Sequence, residues 1–492
     1  MNYLTIDVGT TRCKCQLFSE DGTILEYFGK DYDVKNTDKG IVVDADAIWI
    51  NVKEMIKTVA KKHEISSFCV SSFGESFVMM DKDDNIIYYP MLYTDPKGIE
   101  EAKYINDLIG EEKTFLTTGV VAHSMYSISK ILWIKNNYPE IYLKADKVLL
   151  IGDYVGYMLT GKRVIDYSLA SRTGAFDVEK KVFAKEFLDA LDVPVSLFSK
   201  PMVAGSVVGK IKDELIDELG VKGDATFVLG AHDQVCAALG AGVLSEGESV
   251  DGMGTVECIT TVFKDKPKNI KMGKQGYPCV PFANGDLYCT YILNYTCGAA
   301  VNWVRKNLMH DYKGEEKDFY AYMEKGLTDT PTGILTLPYL GGGATPYQDI
   351  TAGGAIVGIR TYNTDVEIYQ SFIEGTVMEM KLNMEIVKEY GILVKSLVAN
   401  GGCSNSNKWM QLKSDVQNVN VKTLRSSEGG LCGCAILSAV AKCGVDSLEK
   451  AREIFVRYTN EFTPNNTRGS RYDEQYSRYK KLYNSLKEIN RV

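Results

Sequence analysis

The chain has 492 residues, too many for one hydrophobic core, so at least two domains are expected. Apolar residues make up 45% of it and charged residues 24%, as in an ordinary globular enzyme. Acidic side chains outnumber basic ones by 64 to 56, and no basic tract offers a footprint for a phosphate backbone. This composition argues against nucleic acid as a partner.

The first residues, MNYLTIDVG, lack the charged start and long apolar stretch of a signal peptide. No apolar run approaches the roughly 20 residues of a membrane span. We therefore expect a cytoplasmic protein with no membrane partner. The 12 cysteines include no Cys-x-x-Cys pair and are expected to be reduced and mostly buried. With only 4 histidines, a histidine-based metal site is not expected.

Alternating strands and helices are predicted along the first half. The segment NYLTIDVGTTRCKCQLFSEDGTIL predicts a strand, a tight Gly-Thr turn, a second strand and a turn into a third. The later predicted elements are helices at 47–62 and 98–108, a strand at 67–73, a hairpin at 78–90 and a helical region at 123–161.

The second half begins with a repeat of the first. Residues 250–263, VDGMGTVECITTVF, have the layout of residues 4–18: an apolar strand, a Gly-Thr turn and a strand of alternating apolar residues. Aligning the turns places Gly9-Thr10 over Gly254-Thr255. Because the copies begin two halves of similar length, the repeat indicates an internal duplication. Two like domains facing one another would bring both Gly-Thr turns to one cleft.

Further along, Thr364 and Glu367 form a capping box that predicts a long helix. The strand LVKSLVAN then enters a Gly-Gly turn that feeds a helix capped by Ser404 or Asn405. The segment 428–443, EGGLCGCAILSAVAKC, repeats this Gly-Gly-to-helix pattern. The alternation predicts an α/β architecture throughout.

The turn DVGTT offers consecutive backbone N–H groups beside a residue without a side chain, which suits a phosphate. Thr10 and Thr11 add hydroxyl donors and Lys14 adds a positive charge. Asp7 lies where a carboxylate could hold Mg²⁺ directly or through water. Alone, such a turn is as often merely structural. Together with the matching turn and the two Gly-Gly turns, it favours a nucleotide site.

Asp233 stands at the start of a glycine-rich helix in GAHDQVCAALGAG. One interpretation is an N-cap that accepts the first free N–H groups. The other is a general base directed at a substrate. The two are compatible, since one oxygen can hold the helix while the other meets the substrate. The helix N-terminus is expected to keep the carboxylate ionised.

Eight ordered motifs resemble the FGGY carbohydrate kinases, the sugar-kinase family that includes xylulokinase, glycerol kinase and rhamnulokinase. They are DVGTT, DYVGYMLTGKRVIDYSLASRTGAFD, GAHDQVCAALGAGV, GMGT, CGAAVNWV, LPYLGGGATP, IEGTVMEM and NGGCSNSNKWMQLKSDV, and they span nearly the whole chain. The resemblance implies two RNase-H-like α/β domains of the actin/hexokinase type that flank a deep cleft. Residues 1–246 would carry the sugar, the phosphate loop and the catalytic Asp, and residues 247–492 the nucleotide.

The resemblance also implies roles for individual residues. Asp233 matches the catalytic base, Asp7 the Mg²⁺-linked carboxylate, and Thr10, Thr11 and Lys14 the first phosphate loop. Gly254 and Thr255 match the second phosphate turn, and the positions around the α-phosphate, ribose and base are Gly298, Asn302, Gly401, Gly402 and Asn405. Each has a structural alternative, chiefly a turn glycine or a helix cap.

Sugar selection is where this sequence departs from the family. Xylulokinases typically have Gln-Met-His and glycerol kinases Gln-Arg-Glu where this chain has Gly-Glu-Ser at 74–76. The segment MLYTDPKG stands where the family has a Trp-x-Asp-x-Arg pattern. The candidates for sugar contacts are Glu75 and Asp95, followed by Ser76 and Tyr93, with Asp233 beside the reacting hydroxyl.

These features predict an ATP-dependent, Mg²⁺-requiring kinase for a hydroxyl of a ketose such as a pentulose, or of a related polyol or sugar acid. Two alternatives remain at this point. One is an inactive sugar- or nucleotide-binding sensor. The other is an ATP-driven conformational protein of the same fold, such as a heat-shock chaperone or actin. The partners are ATP and a small sugar, with a homodimer as one candidate assembly, and the sequence does not name the sugar.

Overall fold

The computed structural model describes residues 1–309, 312–315, 318–426 and 428–491. The strands in these ranges are β1 (Asn2–Val8), β2 (Arg12–Ser19), β3 (Ile24–Asp31), β4 (Val34–Thr37), β5 (Gly40–Val43), β6 (Ser67–Ser72), β7 (Phe77–Met80), β8 (Ile86–Tyr88), β9 (Lys147–Leu150), β10 (Val164–Asp166), β11 (Phe176–Asp177), β12 (Val182–Phe183), β13 (Lys200–Met202), β14 (Val207–Lys210), β15 (Thr226–Val228), β16 (Glu248–Met253), β17 (Glu257–Phe263), β18 (Val280–Pro281), β19 (Tyr288–Asn294), β20 (Leu335–Leu337), β21 (Ala355–Val357), β22 (Ser396–Asn400), β23 (Asn420–Leu424) and β24 (Tyr458–Phe462).

The helices are α1 (Ala45–Ala60), α2 (Ile99–Ile109), α3 (Glu111–Thr118), α4 (Ser127–Asn137), α5 (Pro139–Tyr142), α6 (Ile151–Thr160), α7 (Tyr167–Ser171), α8 (Lys185–Ala190), α9 (Asp213–Leu219), α10 (Asp233–Gly240), α11 (Ile270–Lys274), α12 (Gly298–Leu308), α13 (Phe319–Gly326), α14 (Asp365–Lys388), α15 (Asn407–Gln417), α16 (Gly429–Ala441), α17 (Leu448–Phe455), α18 (Asn466–Ser470) and α19 (Asp473–Leu486). None of these helices is long and apolar enough to span a lipid bilayer. All twelve cysteines are free thiols and most are buried, as predicted.

The chain forms two compact units from interleaved segments. The first comprises Met1–Leu244, Pro278–Cys289 and Glu428–Val456, and the second comprises Ser245–Tyr277, Thr290–Ser427 and Arg457–Val492. The segment that carries α16 joins the first unit because α16 packs on β1, β6 and α10. The domain limits 1–246 and 247–492 stay a prediction. The two compact units are defined by packing, and each combines segments that are distant in the sequence.

The main sheet of the first unit has the strand order β14-β15-β6-β1-β2-β3. β1 pairs with β2 antiparallel and with β6 parallel, and β6 pairs with β15 parallel. β14 closes the far edge antiparallel to β15. The apolar residues of β1 and β2, including Cys13 and Cys15, are fully buried together with one face of α1. The hairpin, the turn and the third strand are therefore as predicted.

The second unit repeats this strand order as β24-β23-β22-β16-β17-β19. β16 pairs with β17 antiparallel and with β22 parallel, β22 pairs with β23 parallel, and β24 closes the edge antiparallel to β23. β16 and β17 thus correspond to β1 and β2, as the sequence repeat predicts. The capping box of Thr364 and Glu367 is present at the start of α14.

Two predicted elements differ from the structure. The helical region at 123–161 is interrupted by β9, whose short apolar run KVLL pairs with β7 and is buried on both faces. The second Gly-Gly pair, Gly429-Gly430, is not a turn but the first turn of α16. Both errors arise because a short apolar run and a glycine pair have no secondary structure of their own, and tertiary packing decides it.

The close packing of α10 against α16 explains why these two helices contain glycines. A Cβ at Gly240 would lie closer than 3.0 Å to the carbonyl oxygen of Gly429, and a Cβ at Gly433 would lie as close to that of Cys236. The backbones therefore touch where the helices cross, and only glycine fits at both positions. The thiols of Cys236 and Cys434 also meet in this contact, with their Sγ atoms 3.8 Å apart.

Replacing Gly433 with Ala should destabilise the first unit by about 1–3 kcal/mol, because backbone atoms of α10 must move to admit a methyl group. The measurement is thermal unfolding followed by circular dichroism. Gly430→Ala in the same helix is the matched control, since the nearest atoms to its Cβ would be side-chain atoms of Asp7 and Ser71 at an ordinary 3.5 Å or more. Equal melting temperatures for the two variants would contradict the close crossing.

Candidate functional site

The candidate residues of the first unit lie at one edge of its sheet. β1, β6 and β15 are parallel, so their carboxyl ends meet there. β1 is followed by the Gly-Thr turn, β6 by the segment 73–76, and β15 by α10. The carboxyl edge of parallel strands is where ligands bind in open α/β sheets.

Asp7 is paired with Ser71 across the β1–β6 ladder, and the Ser71 hydroxyl donates a 2.6 Å hydrogen bond to Asp7 Oδ1. Burial raises the pKa of the Asp7 carboxyl, while the bond from Ser71 and the charge of Lys14 lower it. Gly430 of α16 faces the same carboxyl, with no side chain to cover it. Asp7 is thus a carboxylate that a cation or a proton would stabilise.

In the Gly-Thr turn, the N–H of Gly9 is used internally and donates to the carbonyl of Arg12 at 3.0 Å. The N–H groups of Thr10 and Thr11 have no acceptor among the described residues. These two donors fit the predicted phosphate turn. The ammonium of Lys14, predicted as its positive charge, binds the Glu428 carboxylate at 2.9 Å. Lys14 is therefore ion-paired in this structure.

Asp233 is the first residue of α10, and His232 precedes it in the cap position. Asp233 Oδ1 accepts the N–H of Gln234 at 2.6 Å and lies 3.2 Å from Nε2 of His232. The predicted N-cap role is therefore wrong in detail, because Asp233 lies inside the helix. One oxygen does hold the start of the helix, as expected.

Burial raises the pKa of Asp233 to about 8, and the charge of Asp7 adds to this. The bond from Gln234 and the charge of Arg172 act in the opposite direction but are smaller. The expectation that the helix N-terminus keeps Asp233 ionised is thus wrong. About a third of the side chain is exposed, so the carboxyl is open to an incoming group.

Glu75 is buried and forms an ion pair with Arg172. Arg172 Nε donates to Glu75 Oε1 at 2.6 Å, and Nη2 donates to the same oxygen. Glu75 has a φ of 64°, the left-handed region, and its carbonyl accepts a bond from the Ser127 hydroxyl at 2.6 Å. The charges of both Glu75 and Arg172 influence the pKa of Asp233, so the three side chains belong to one site.

The other predicted sugar contacts, Asp95, Ser76 and Tyr93, differ from Glu75 in their burial and in their partners. Asp95 is buried, and its oxygens accept the N–H groups of Ile41 at 2.6 Å and Lys97 at 2.9 Å. It therefore holds its own loop to β5. Ser76 is fully buried, and its hydroxyl has no partner among the described residues. Tyr93 is 39% exposed.

Sequence reasoning missed Arg172, Lys130 and Glu428. Arg172 lies in the motif SLASRTGAFD, which by itself predicts no role for this arginine. Lys130 is the single charge among the buried residues of α4, and its ammonium donates to the carbonyl of Asp95 at 2.8 Å. Burial lowers the pKa of Lys130 to about 8. A lone charge on an apolar helix face was the available signal, because a buried charge is rare without a partner.

In the second unit, the Gly-Thr turn lies between β16 and β17, as predicted. The carbonyl of Gly254 accepts the N–H of Gly298 at 2.9 Å, and that of Thr255 accepts the N–H of Ala299 at 3.1 Å. The start of α12 is thereby fixed to the turn. The N–H groups of Gly254 and Thr255 themselves have no acceptor among the described residues.

The loop after β22 meets the same turn. Gly401 has a φ of 94°, and a Cβ there would lie 2.6 Å from the carbonyl oxygen of Met253. Gly402 has open space around it, and Asn405 is exposed. The structure thus brings together the predicted residues Gly254, Thr255, Gly298 and Gly401.

Two predictions at the nucleotide positions need qualification. Asn302 on α12 accepts a bond from Arg305 Nη2 at 3.0 Å, so its side-chain oxygen is used within the helix. The cap of α15 is neither Ser404 nor Asn405 but Ser406, whose hydroxyl accepts the N–H of Trp409 at 3.1 Å. The helix starts later than predicted because residues 402–405 form a 3₁₀ turn of their own.

Under the second turn lies a buried ionic triad that the sequence did not predict. The Lys413 ammonium contacts both Asp251 on β16 and Glu257 on β17, and all three side chains are fully buried. The two acidic residues flank the turn at 254–256. Burial raises the pKa of Glu257 to about 7, so one carboxyl of the triad can hold a proton near neutrality.

The described residues contain no group of three or more His, Cys, Asp or Glu side chains that could hold a metal ion. The carboxylates at the first edge are those of Asp7, Asp233 and Glu75, and Glu75 is paired with Arg172. A cation here would depend on one or two carboxylates and on a ligand's own oxygens, which is how Mg²⁺ commonly binds with phosphates.

Comparison with known proteins agrees with this arrangement of two repeated units. The description "FGGY family of carbohydrate kinases, N-terminal domain" matches residues 2–240, and the corresponding C-terminal domain matches residues 253–442. The chain belongs to the FGGY family of carbohydrate kinases. This FGGY protein is therefore a carbohydrate kinase, and kinases of the family use ATP as the phosphate donor.

The curated relatives of this FGGY kinase are named for different sugar substrates. A xylulose kinase of Staphylococcus epidermidis is 26% identical over 99% of this chain and 97% of its own. A gluconokinase of Bacillus subtilis is 25% identical over 92% of this chain and 90% of its own. The crystal structure of a ligand-bound xylulose kinase from Lactobacillus acidophilus has a TM-score of 0.90 at 24% identity, over 99% of both chains. That likeness confirms the predicted α/β, two-domain fold.

Replacing Lys413 with Met should destabilise the second unit by about 3–5 kcal/mol, because two buried carboxyls lose their cation. Thermal and urea unfolding measure the loss. The matched control is Lys422→Met, which removes a half-exposed ammonium 3.9 Å from Glu461 and should cost no more than about 1 kcal/mol. A Lys413 variant as stable as its control would show that the triad does not hold the turn.

Proposed function

We propose that this kinase transfers the γ-phosphoryl group of Mg-ATP to a hydroxyl of a ketose, a polyol or a related sugar acid, with Asp233 as general base. The observation that supports this most directly is the accessible carboxyl of Asp233, whose pKa is raised to about 8 at the carboxyl edge of a parallel sheet. A carboxylate with such a pKa is basic enough to accept the proton of an alcohol in the transition state.

The proposed reaction is an in-line displacement. The acceptor oxygen forms a bond to the γ-phosphorus, the bond between that phosphorus and the bridging oxygen of ADP breaks, and the hydroxyl proton passes to Asp233 Oδ2. Oδ1 stays bonded to the N–H of Gln234, which fixes the orientation of the carboxyl. Such a reaction depends mainly on positioning and on compensation of the phosphoryl charge.

We assign the phosphate contacts of the first unit to Thr10 and Thr11, whose N–H groups lack an acceptor in the described part of the chain. Lys14 would add its charge only if it exchanges Glu428 for a phosphate oxygen. Asp7 is the candidate for Mg²⁺, directly or through water, because a cation would offset the burial that raises its pKa. When bound, Mg²⁺ neutralises phosphate charge during transfer.

In the second unit we assign the nucleotide contacts to the turn and loop that meet there. Gly254 and Thr255 offer N–H groups, and Gly298 and Gly401 allow the close approach of these segments. Gly402 borders open space, which suits a ligand that lies against the backbone. Exposed Asn405 and half-buried Asn302 are the remaining candidates for the ribose and base.

For the acceptor we assign Glu75 and Ser76, which lie next to each other after β6. Tyr93 offers an exposed ring to the C–H face of a sugar. Asp95 is retained as a candidate, although its oxygens already accept two backbone N–H groups. A cytoplasmic location and a homodimer stay predictions.

Asp233→Asn should lower kcat by about 10²–10⁴-fold, because the amide cannot accept the hydroxyl proton. ADP release with a panel of sugars, measured by a coupled assay, gives kcat, and calorimetry gives ATP affinity, which should stay close to that of the wild type. Asp224→Asn, at an exposed position of the same unit, is the control. Near-normal turnover by the Asp233→Asn variant would remove Asp233 from this role.

The raised pKa of Asp233 predicts two pH dependences. Because the base must be deprotonated, kcat/KM should rise with pH and level off above about 8. The pKa of Asp233 in the folded protein lies above its unfolded value of about 3.9. The contribution of Asp233 to the free energy of unfolding is therefore complete below a pH of about 3.9 and is lost as the pH rises through about 8. The melting temperature of the wild type should therefore fall more between pH 6 and 9 than that of Asp233→Asn, and parallel curves would contradict the shift.

A further inference from the structure

We propose that the buried pair of Glu75 and Arg172 makes the acceptor site select neutral ketoses or polyols and reject sugar acids. This inference rests on the proposed function and names its substrate class. The family leaves the choice open, since the curated relatives include both a xylulose kinase and a gluconokinase.

The guanidinium of Arg172 is the group near Asp233 best suited to bind a carboxylate, because its planar fork matches two carboxylate oxygens. In this chain, Glu75 already occupies Nε and Nη2 of that fork. The two side chains are only 6% and 5% exposed, and the guanidinium also lies over the ring of Tyr126, 5.1 Å from its centroid. A substrate carboxylate that approached the Nε–Nη2 edge of the guanidinium would have to displace an internal one that is held in place.

The backbone fixes Glu75 in this position. Its left-handed conformation and the bond from Ser127 to its carbonyl hold the residue. A Cβ at the preceding Gly74 would lie 2.8 Å from Cγ of Arg172 and 3.1 Å from Cδ2 of His232, so glycine is what lets the arginine pack against this turn. The pair is therefore part of the fold and not a chance contact of two flexible side chains.

Other cations of the neighbourhood are also engaged. The ammonium of Lys130 donates to the carbonyls of Asp95 and Lys97 at 2.8 and 3.3 Å, and that of Lys14 binds Glu428. Burial and the charge of Arg172 lower the pKa of His232 well below its usual value, so this imidazole is neutral.

Besides the Arg172 guanidinium, the site offers a ligand the carboxyls of Glu75 and Asp233 and the hydroxyl of Ser76. Among the described residues, no donor reaches Oε2 of Glu75, which is left to accept a hydroxyl. Ser76 has a hydroxyl without a partner in the described part of the chain, and Asp233 accepts a proton. These groups suit the O–H donors of a neutral sugar, whereas a carboxylate would meet the like charge of Glu75.

The test compares kcat/KM for neutral acceptors (D-xylulose, D-ribulose, xylitol and glycerol) with that for D-gluconate in the wild type and in Glu75→Gln. The wild type should favour its best neutral acceptor over gluconate by about 100-fold or more, as expected when a charge meets like charges. Glu75→Gln removes the negative charge that competes for the fork of Arg172 and leaves a neutral amide oxygen, which is the weaker acceptor. It should shift the ratio toward gluconate by about 10-fold or more, the gain of one charge-assisted hydrogen bond.

Glu101→Gln is the matched control, because Glu101 is also buried in the first unit and bonds Asn136 at 3.1 Å, away from Arg172. Its ratio should equal that of the wild type. Glu75→Asp, which keeps the charge, should keep the preference for neutral acceptors.

Three outcomes are decisive. Preference of the wild type for gluconate would overturn the inference even if Glu75→Gln does not fold. A folded Glu75→Gln enzyme with an unchanged ratio would also overturn it. If no acceptor of either kind stimulates ADP release, the proposed function fails and not the charge selection alone.

Discussion

The close crossing of α10 and α16 is the contact on which the first unit's candidate site depends. It places Gly433 of α16 against the backbone of α10, and Gly240 of α10 against the first turn of α16. Asp233 begins the first helix, and Gly430 of the second faces Asp7. Helices held at backbone contact cannot slide independently, so the two carboxyls are fixed relative to each other. The cost of glycine in a helix, about 1 kcal/mol each, is offset by this packing.

Burial, more than the helix N-terminus, sets the charge state of the candidate base. A helix N-terminus favours an anion by about 0.3–1 kcal/mol at exposed sites. Desolvation and the neighbouring Asp7 outweigh that preference at Asp233 and raise its pKa. The same reasoning applies to the second unit, where burial raises the pKa of Glu257 even with Lys413 beside it. In both units, a turn that offers backbone N–H groups lies next to acidic groups with raised pKa values.

The two units share their strand order, but they differ in how their turns are supported. In the first unit, an ion pair of Lys14 with Glu428 joins β2 to the start of α16. In the second, Lys413 of α15 binds Asp251 and Glu257 on the two strands of the hairpin. A repeated fold therefore does not repeat its electrostatics, because the cation lies on β2 in the first unit and on α15 in the second.

The sequence by itself determined the α/β class, the repeated hairpins and the positions of Asp7, Asp233 and the glycine turns. Local patterns carry this information, since period-2 alternation and turn residues act over a few neighbours. The tertiary structure alone decided that α16 joins the first unit, that Arg172 forms an ion pair with Glu75, and that Asp95 holds its loop to β5. It also decided the pKa of Asp233. These outcomes depend on residues far apart in the chain, such as Lys14 and Glu428, whose contact and mutual desolvation exist only once the chain has folded.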